Sequence, residues 1–419
     1  MKNEKQMIRW LYFLRFIAIF NVFIFAFFLF NDFKYWKIYF LINATLIVGY
    51  IWYNYFRLFL IRVKKKKYEP LKNMEYTIVV PCYNEERHLL IQTVESILKT
   101  DNIKKEIIIV DDGSKNGIWE TIKELQKKSD QIKIFKFDQN KGKRFAHKLA
   151  IEQSTKDFIV SIDSDTIIAK NAIVKLLEPF SDPNIGATTG NILIKNEKKN
   201  ILTRMQAGLY WVGLNIYKNG QSSQGNVVCC SGCLSAYRKK DLLIVLDEYI
   251  NQTFLGNKCH ASEDRYLTNL INEMGKNVVY VDDSICYTEA PEKLSKFVKQ
   301  QIRWKRGFYR ESLYTSTYAW KKSKPLYFET VVWQLITPIL YLSMVLTTVF
   351  LFIFHPIYSL ITLLPMIVLF IVCRDSLFFI ENPKRALFYV PYMFLYLFVL
   401  YPLNIYAIFN SNPEKWGTR

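Results

Sequence analysis

The sequence predicts an α/β protein: one soluble domain on a mostly parallel sheet, flanked by transmembrane and interfacial helices. Three observations carry that reading. From about Met74 to Ser284, strand-like and helix-like patterns alternate, as in consecutive βαβ units. Long apolar segments lie on both sides of that stretch, and their length suits bilayer spans. The composition is mixed, with 51% hydrophobic and 16% aromatic residues beside 22% charged. A disordered chain would be poorer in apolar residues, and a wholly membrane-embedded bundle would not house so many charges. The 419 residues are enough for one domain of roughly 200 residues and several spans of about 20 each.

Leu11 to Phe30 is apolar except for Arg15 and Asn21, and Ile38 to Ile61 is interrupted by Asn43, Asn54 and Arg57. Any such segment taken alone also reads as a buried core helix; their number and length favour spans. Tyr76 to Pro81 is a short apolar strand, and Glu86 to Lys99 has helical spacing through Leu89, Leu90, Val94, Ile97 and Leu98. Lys105 to Val110 is a β-branched strand, Gly117 to Lys128 a helix, and Gln131 to Phe137 a third strand. Lys143 to Gln153 is a helix, and Phe158 to Ile162 a fourth strand. Continuous apolar strands alternating with helices predict a parallel, doubly wound sheet, which binds ligands at the carboxyl ends of its strands. Beyond it come a basic, aromatic helix from Gln300 to Glu311 and apolar segments at Val331 to Phe354, Ile357 to Cys373 and Ala386 to Phe409. Pro391 and Pro402 predict a bent or re-entrant course for the last of these. The domain boundaries follow: 1–73 with two spans, 74–289 as the soluble domain, 290–326 as interfacial helices, and 327–419 as a second membrane region.

The net charge, 56 − 37 = +19, is partly a topology signal. Lys2, Lys5 and Arg9 precede the first span, and Arg62 with Lys64 to Lys67 follow the second. The positive-inside rule puts both flanks and the soluble domain in the cytosol. No nucleic-acid module is recognisable, and no nucleic-acid partner is expected. No cleavable signal peptide is apparent, since Leu11 to Phe30 is too long for an h-region and no small-residue cleavage site follows. The seven cysteines, at 82, 229, 230, 233, 259, 286 and 373, follow no regular framework and suit a reducing compartment. Cys230-Ser-Gly-Cys233 has the spacing of a zinc or redox pair. It lacks two further well-placed ligands, and the plainer reading is a small-residue loop. The four histidines form no spaced metal set.

Three strands end in polar clusters: Pro81-Cys-Tyr-Asn-Glu85, Asp111-Asp-Gly-Ser114 and Asp163-Ser-Asp165. Two carboxylates one residue apart, just past a buried strand, suit a hard divalent cation carrying a diphosphate. Ser262-Glu-Asp-Arg265 and Gln300-Gln-Ile-Arg-Trp304 follow.

The ordered set Asp111-Asp112, Asp163-x-Asp165, Glu263-Asp264 and Gln300-x-x-Arg303-Trp304 resembles the processive family 2 glycosyltransferases of GT-A fold, across almost the whole chain. Within that family, Asn140-Lys-Gly-Lys-Arg144, Leu202-Thr-Arg204, Asn251 to Gly256, Phe308 to Ser312 and Trp416-Gly-Thr-Arg419 look like class I hyaluronan synthases. The nodulation-type chitooligosaccharide synthases stand second, and Glu263-Asp264 is closer to their pattern than to the Asp-Asp of hyaluronan synthases. Val228-Cys-Cys-Ser-Gly232 resembles the loop beside the acceptor site in both groups, and Cys233 departs, standing where a proline is usual after that glycine.

The resemblance implies residue roles. Tyr83, Glu85 and Asp112 would hold the uridine of a UDP-sugar. Asp163 and Asp165 would meet its diphosphate and a Mg²⁺ or Mn²⁺ ion, with Lys143 and Arg144 as nearby cations. Asp264 would be the general base on the acceptor hydroxyl. Gln300, Arg303 and Trp304 would shape the acceptor site, Trp304 stacking under the terminal sugar. The implied partners are UDP-sugars, a growing glycan and the lipid bilayer. An indole suits the apolar face of a sugar ring, and a guanidinium suits an anion. Trp304 also reads as an interfacial belt residue, and Arg303 as a headgroup contact. If the donors include a carboxylate-bearing sugar, Arg303, Lys305, Arg306 and Arg310 supply cations for it. A single-donor chitin-like or poly-GlcNAc synthase is the nearest rival. A lipid-linked sugar transferase would not be expected to carry the Gln-x-x-Arg-Trp helix, and a degenerate scaffold would not be expected to keep the acids. If Ala386 to Phe409 crosses fully, the terminal Trp416 to Arg419 lies outside. A tail that helps close the cytosolic site requires instead that one segment be re-entrant.

Cysteines introduced at positions 65 and 240 should be shielded from an impermeant thiol reagent in intact cells, since the Lys/Arg bias places both in the cytosol. Labelling of position 240 from outside would reverse the orientation.

Overall fold

The computed structural model describes residues 4–30, 75–100, 104–354, 356–358 and 375–411, with scattered residues between 45 and 69. The chain divides into two compact units. The described residues of one lie within Met1–Phe59, Lys198–Val212 and Pro291–Asn412, those of the other within Leu60–Glu197 and Gly213–Ala290. The helical unit thus takes 198–212 out of the middle of the range that the sequence reading keeps as one soluble domain.

The chain opens on α1 (Glu4–Phe30) of the helical unit. The α/β unit starts at β1 (Tyr76–Cys82), α2 (Arg87–Leu98), β2 (Lys105–Asp111), α3 (Ile118–Gln126) and β3 (Ile132–Lys136). It continues through α4 (Lys143–Gln153), β4 (Phe158–Ser161), β5 (Ile167–Ile168), α5 (Ala172–Leu177) and β6 (Ile185–Ile194). These bounds lie within a residue or two of the sequence reading wherever that reading named an element. The reason is physical: β1 and β2 are buried along their whole length, so their central residues, Ile78 to Val80 and Ile107 to Val110, have to be apolar.

After α6 (Ile201–Trp211) in the helical unit, the sheet resumes with β7 (Ser235–Arg238) and α7 (Lys239–Ile250). A small hairpin, β8 (Thr253–Phe254) and β9 (Asn257–Lys258), leads to α8 (Glu263–Glu273) and β10 (Asn277–Thr288). The eight-stranded sheet has the order β3-β2-β1-β4-β7-β6-β10-β5. The first four strands are parallel, and β7 runs antiparallel to both β4 and β6. β6 and β10 are parallel, and β5 closes the edge antiparallel to β10. The sheet is mostly parallel, as expected, but the reversal at β7 was not foreseen. Four residues beginning at Ser235 carry no apolar run by which to recognise a strand.

Register places the site. Cys82 pairs with Asp111 and Val79 with Ser161, so the polar clusters after β1, β2 and β4 emerge at one end of the sheet. The Asp112 N–H donates to the Cys82 carbonyl at 2.8 Å. Gly113 has φ +71°, and a Cβ there would fall 2.3 Å from the backbone of Gln139. Only glycine allows the loops after β2 and β3 to approach so closely.

In the helical unit, α9 (Leu294–Lys322), α10 (Thr337–Phe354), α11 (Pro383–Leu395) and α12 (Pro402–Phe409) follow. α9 packs on α12 and α1, and α1 on α10. Arg15, the charge inside the first apolar segment, donates to the carbonyls of Ile408 and Phe409 at the end of α12. Between α11 and α12 the helix widens into a π turn, Tyr396–Leu400, with Tyr401 N–H reaching the Tyr396 carbonyl. Pro402 has no N–H to give and forces such an adjustment. Among the described residues one helical stretch, Leu387–Phe409, is long and apolar enough to cross a membrane. Most of Ile38 to Ile61, all but the start of Ile357 to Cys373, Lys64 to Lys67 and the terminal Trp416 to Arg419 lie outside the described residues.

Candidate active site

The loops after β1 and β2 are laced together. Asn84, at φ 49°, accepts from the Lys115 N–H, and its own N–H donates to Ser114 Oγ, both at 2.8 Å. Tyr83 is half-buried and Glu85 is buried. The Glu85 carboxylate accepts from Ser164 Oγ at 2.6 Å, which ties the β1 loop to the β4 loop.

Asp112 clamps the loop before α4. Its carboxylate accepts from Asn140 Nδ2 at 3.0 Å, the Lys141 N–H at 2.8 Å and the Gly142 N–H at 2.9 Å. Burial raises its pKa to about 6 despite these bonds. Three of roughly four acceptor positions on a carboxylate are thereby used, so Asp112 first of all fixes the loop that leads into α4. Asp111 accepts from the Ser114 N–H at 3.0 Å. Its other oxygen is buried with no partner among the described residues.

Lys143 opens α4 immediately after Gly142, whose φ is +98°. Its ammonium lies 2.7 Å from Asp163 Oδ1 and 2.9 Å from Glu263 Oε1, and the Lys143 side chain is 7% exposed. Burial disfavours the charge, yet the two carboxylates outweigh it and hold the ammonium charged well past its ordinary pKa. Burial likewise opposes ionisation of Glu263, and Lys143 overrides it, taking the carboxyl down to about 2. Glu263 and Asp264 occupy the first turn of α8, where the helix dipole favours negative charge. Asp264 is half-buried, and Oδ1 accepts from the Arg265 N–H at 2.7 Å. Burial first, then the charge of Glu263, raises its pKa.

Arg144 departs from the expectation. The residue is 4% exposed, and its guanidinium donates to the Tyr249 carbonyl and to Gln252 Oε1. It also sits over the rings of Tyr249 and Tyr266. Successive residues on a helix point about 100° apart. With Lys143 facing Asp163, Arg144 faces α7 and serves as a structural clamp, not as a cation beside a diphosphate.

Asp165 is half-buried beside Asp163. Among the described residues no group of three or more His, Cys, Asp or Glu stands close enough to hold a metal ion. Two carboxylates still fit Mg²⁺ or Mn²⁺, which takes one or two protein oxygens and completes its shell with phosphate and water. The Lys143 ammonium on Asp163 shows that this carboxylate already accepts a cation.

The small-residue loop comes against this group. A Cβ at Gly232 would lie 2.8 Å from Lys143 Nζ and 3.0 Å from Asp163 Oδ2. Cys229, Cys230 and Cys233 are unbridged. Burial pushes all three thiols up, Cys230 to about 12, which opposes a thiolate role. The sequence reading placed Gly232 in a loop beside the acceptor site, without its contact to Lys143 and Asp163, and left the Lys143–Glu263 pairing without a part. A glycine beside two cysteines was the signal for the first; the second joins residues far apart in the chain and had none.

Gln300, Arg303 and Trp304 lie on α9 of the helical unit at i, i+3 and i+4, and so share one face. Trp304 is 39% exposed and meets Tyr210 edge-on at 6.2 Å. Lys305 donates to Asn404, Arg306 to Tyr406, and Arg310 pairs with Glu311. Three of the four cations foreseen for a carboxylate are therefore already engaged.

Gly232→Ala should displace the Lys143–Asp163 pair and lower stability by about 1–3 kcal/mol. Thermal unfolding of the full chain in detergent checks it, and an unchanged Tm would mean that the loop yields instead.

Comparison with known proteins agrees with this geometry. Residues 77–243 match the model of Glycosyl transferase family 2. A hyaluronan synthase of Streptococcus pyogenes is 33% identical over 84% of this chain and 86% of its own. An N-acetylglucosaminyltransferase of Azorhizobium caulinodans is 32% identical over 82% of this chain and 86% of its own. Among solved structures, a mannosyltransferase from Pyrobaculum calidifontis in complex with GDP-Man and Mn²⁺ aligns with TM-score 0.60 at 16% identity. That alignment covers 95% of this chain and 98% of the other and shows a shared fold, the GT-A fold. The chain is a glycosyltransferase and belongs to glycosyl transferase family 2.

Proposed function

We propose that the chain is a multi-pass membrane synthase that polymerises UDP-GlcNAc and UDP-GlcA into hyaluronan on the cytosolic side and exports it through its own helices. The observation that carries this reading is the likeness to a hyaluronan synthase over 84% of the chain. The convergence of Asp163, Lys143 and Glu263, with Asp264 next in the chain, supports the chemistry.

In this reading Tyr83, Glu85 and Asp112 hold the uridine, Asp112 through its one remaining acceptor position and the loop that it fixes. Asp163 and Asp165 hold Mg²⁺ or Mn²⁺, and Lys143 meets the diphosphate. Asp264 takes the proton of the acceptor hydroxyl while that oxygen attacks the anomeric carbon from the face opposite UDP. The C–O bond to the acceptor forms as the bond to the diphosphate breaks, which inverts the configuration. A bound divalent ion neutralises the charge that develops on the departing diphosphate. Trp304 and Gln300 form the acceptor floor. Arg303, with no partner recorded among the described residues, is the cation left on that face for a carboxylate. The apolar Leu387–Phe409 stretch supports the membrane assignment.

A second reading is a single-donor synthase of chitin-like or poly-GlcNAc chains. The likeness to an N-acetylglucosaminyltransferase over 82% of the chain favours it, as does Glu263 before Asp264.

Asp264→Asn should leave UDP binding intact and cost roughly 10²–10⁴-fold in transfer. Collapse of UDP binding as well would make Asp264 structural. In the parent, transfer should fall on the acid side as Asp264 gains its proton. Because its pKa is raised, that limb should lie above the ordinary aspartate value of about 4.

Product analysis of the full chain in detergent or nanodiscs, given each donor alone and then both, decides between the readings. Long polymer should appear only with UDP-GlcNAc and UDP-GlcA together and should be digested by hyaluronidase. A high-mass product from UDP-GlcNAc alone, digested by chitinase, would replace the first reading with the second.

A further inference from the structure

Lys143 has two anionic partners, and they sit on different elements. Asp163 follows β4, and Glu263 starts α8. Asp163 has work elsewhere: in the proposed reading, on which this inference rests, it turns to the cation-bound diphosphate. An ammonium as buried as that of Lys143 cannot be left without an anion. Glu263 is equally buried, at 8% exposure of its side chain, and meets the ammonium from the first turn of α8.

The neighbouring acid is excluded from this task. The shorter Asp264 side chain is bonded through Oδ1 to the Arg265 N–H. Glu263, one methylene longer, reaches the lysine. Gly232 leaves free the space against both Lys143 Nζ and Asp163 that a side chain would otherwise fill.

We infer that Glu263 is a positioning residue for donor binding: it anchors Lys143, so that the ammonium can leave Asp163 for an incoming nucleoside diphosphate while staying paired. Without Glu263, Lys143 depends on Asp163 alone, and the two lock together. The carboxylate is then less available to a divalent ion and the ammonium less available to phosphate.

Calorimetric titration of UDP with Mn²⁺ into the full chain in nanodiscs tests this. Glu263→Gln should weaken binding about tenfold, and Lys143→Met by a similar factor, the scale of one charge-assisted hydrogen bond. The combined variant should bind no more weakly than Lys143→Met alone, since a residue that acts only through Lys143 then has nothing to act on. Glu263→Asp keeps the charge on a shorter arm and should fall between parent and Glu263→Gln; it serves if loss of the buried charge prevents folding. Parent-like affinity in whichever Glu263 variant folds, or losses that multiply in the combined variant, would overturn the inference. Asp165→Asn in the same assay separates it from the underlying reading. If Asp165→Asn loses the Mn²⁺-dependent part of UDP binding while Glu263→Gln binds like the parent, the inference alone fails. If UDP binding is indifferent to Mn²⁺ and to Asp165→Asn, the diphosphate reading fails first and takes the inference with it.

Discussion

An ammonium as deeply buried as that of Lys143 must be neutralised where it stands, and that requirement organises the end of the sheet. Three chain segments supply the parts: the start of α4, the loop after β4 and the first turn of α8. None can move far without stranding a charge in a low-dielectric surrounding, which costs several kcal/mol. The pairing of β1 with β4 sets where Asp163 emerges. Asp112, by accepting from the backbone at residues 141 and 142, sets where α4 begins. The ion pair thus depends on the sheet register at one remove, and the site depends on the ion pair.

The same charges set the state of Asp264. It sits in a helix first turn, where the dipole favours an anion. Burial and the adjacent Glu263 carboxylate push the other way and prevail, leaving its pKa raised. In the proposed reading this suits its role, since a carboxylate made more basic than usual is a better proton acceptor. Glu263 therefore acts twice from one position, pairing with a buried ammonium on one side and raising the pKa of the neighbouring carboxyl on the other. Ser262, at φ 62°, turns the chain sharply into this helix. A non-glycine residue held in that region stores backbone strain, and here the strained residue immediately precedes the two acids.

The sequence made the first half of the sheet legible, because burial on both faces keeps the central residues of β1 and β2 apolar. The motif acids were legible for the same reason: polar residues directly after such strands can only be at the carboxyl edge. β7 was not legible, since its partners come from β4 and β6 and its four residues carry no pattern of their own. Lys143 and Arg144 illustrate the limit more sharply. They are adjacent and both basic, and composition treats them alike. The helix turns one toward Asp163 and the other toward Tyr249, and only the placement of α7 decides which is which.

The helical unit follows the rule that governs Lys143. Where the surroundings are apolar, a polar group has to find its partner within the protein. Arg15 does so at the carboxyl end of α12, where helix geometry leaves carbonyls without intrahelical donors. One guanidinium satisfies two of those carbonyls and gives a cation to the negative end of the helix dipole. Arg310 finds Glu311, and Ser312 finds Gln334. A charge inside an apolar segment, which hydropathy alone counts against a span, is in this case what fixes α1 to α12. Substituting Arg15 with leucine would raise the hydropathy of the segment and loosen the packing that the segment needs.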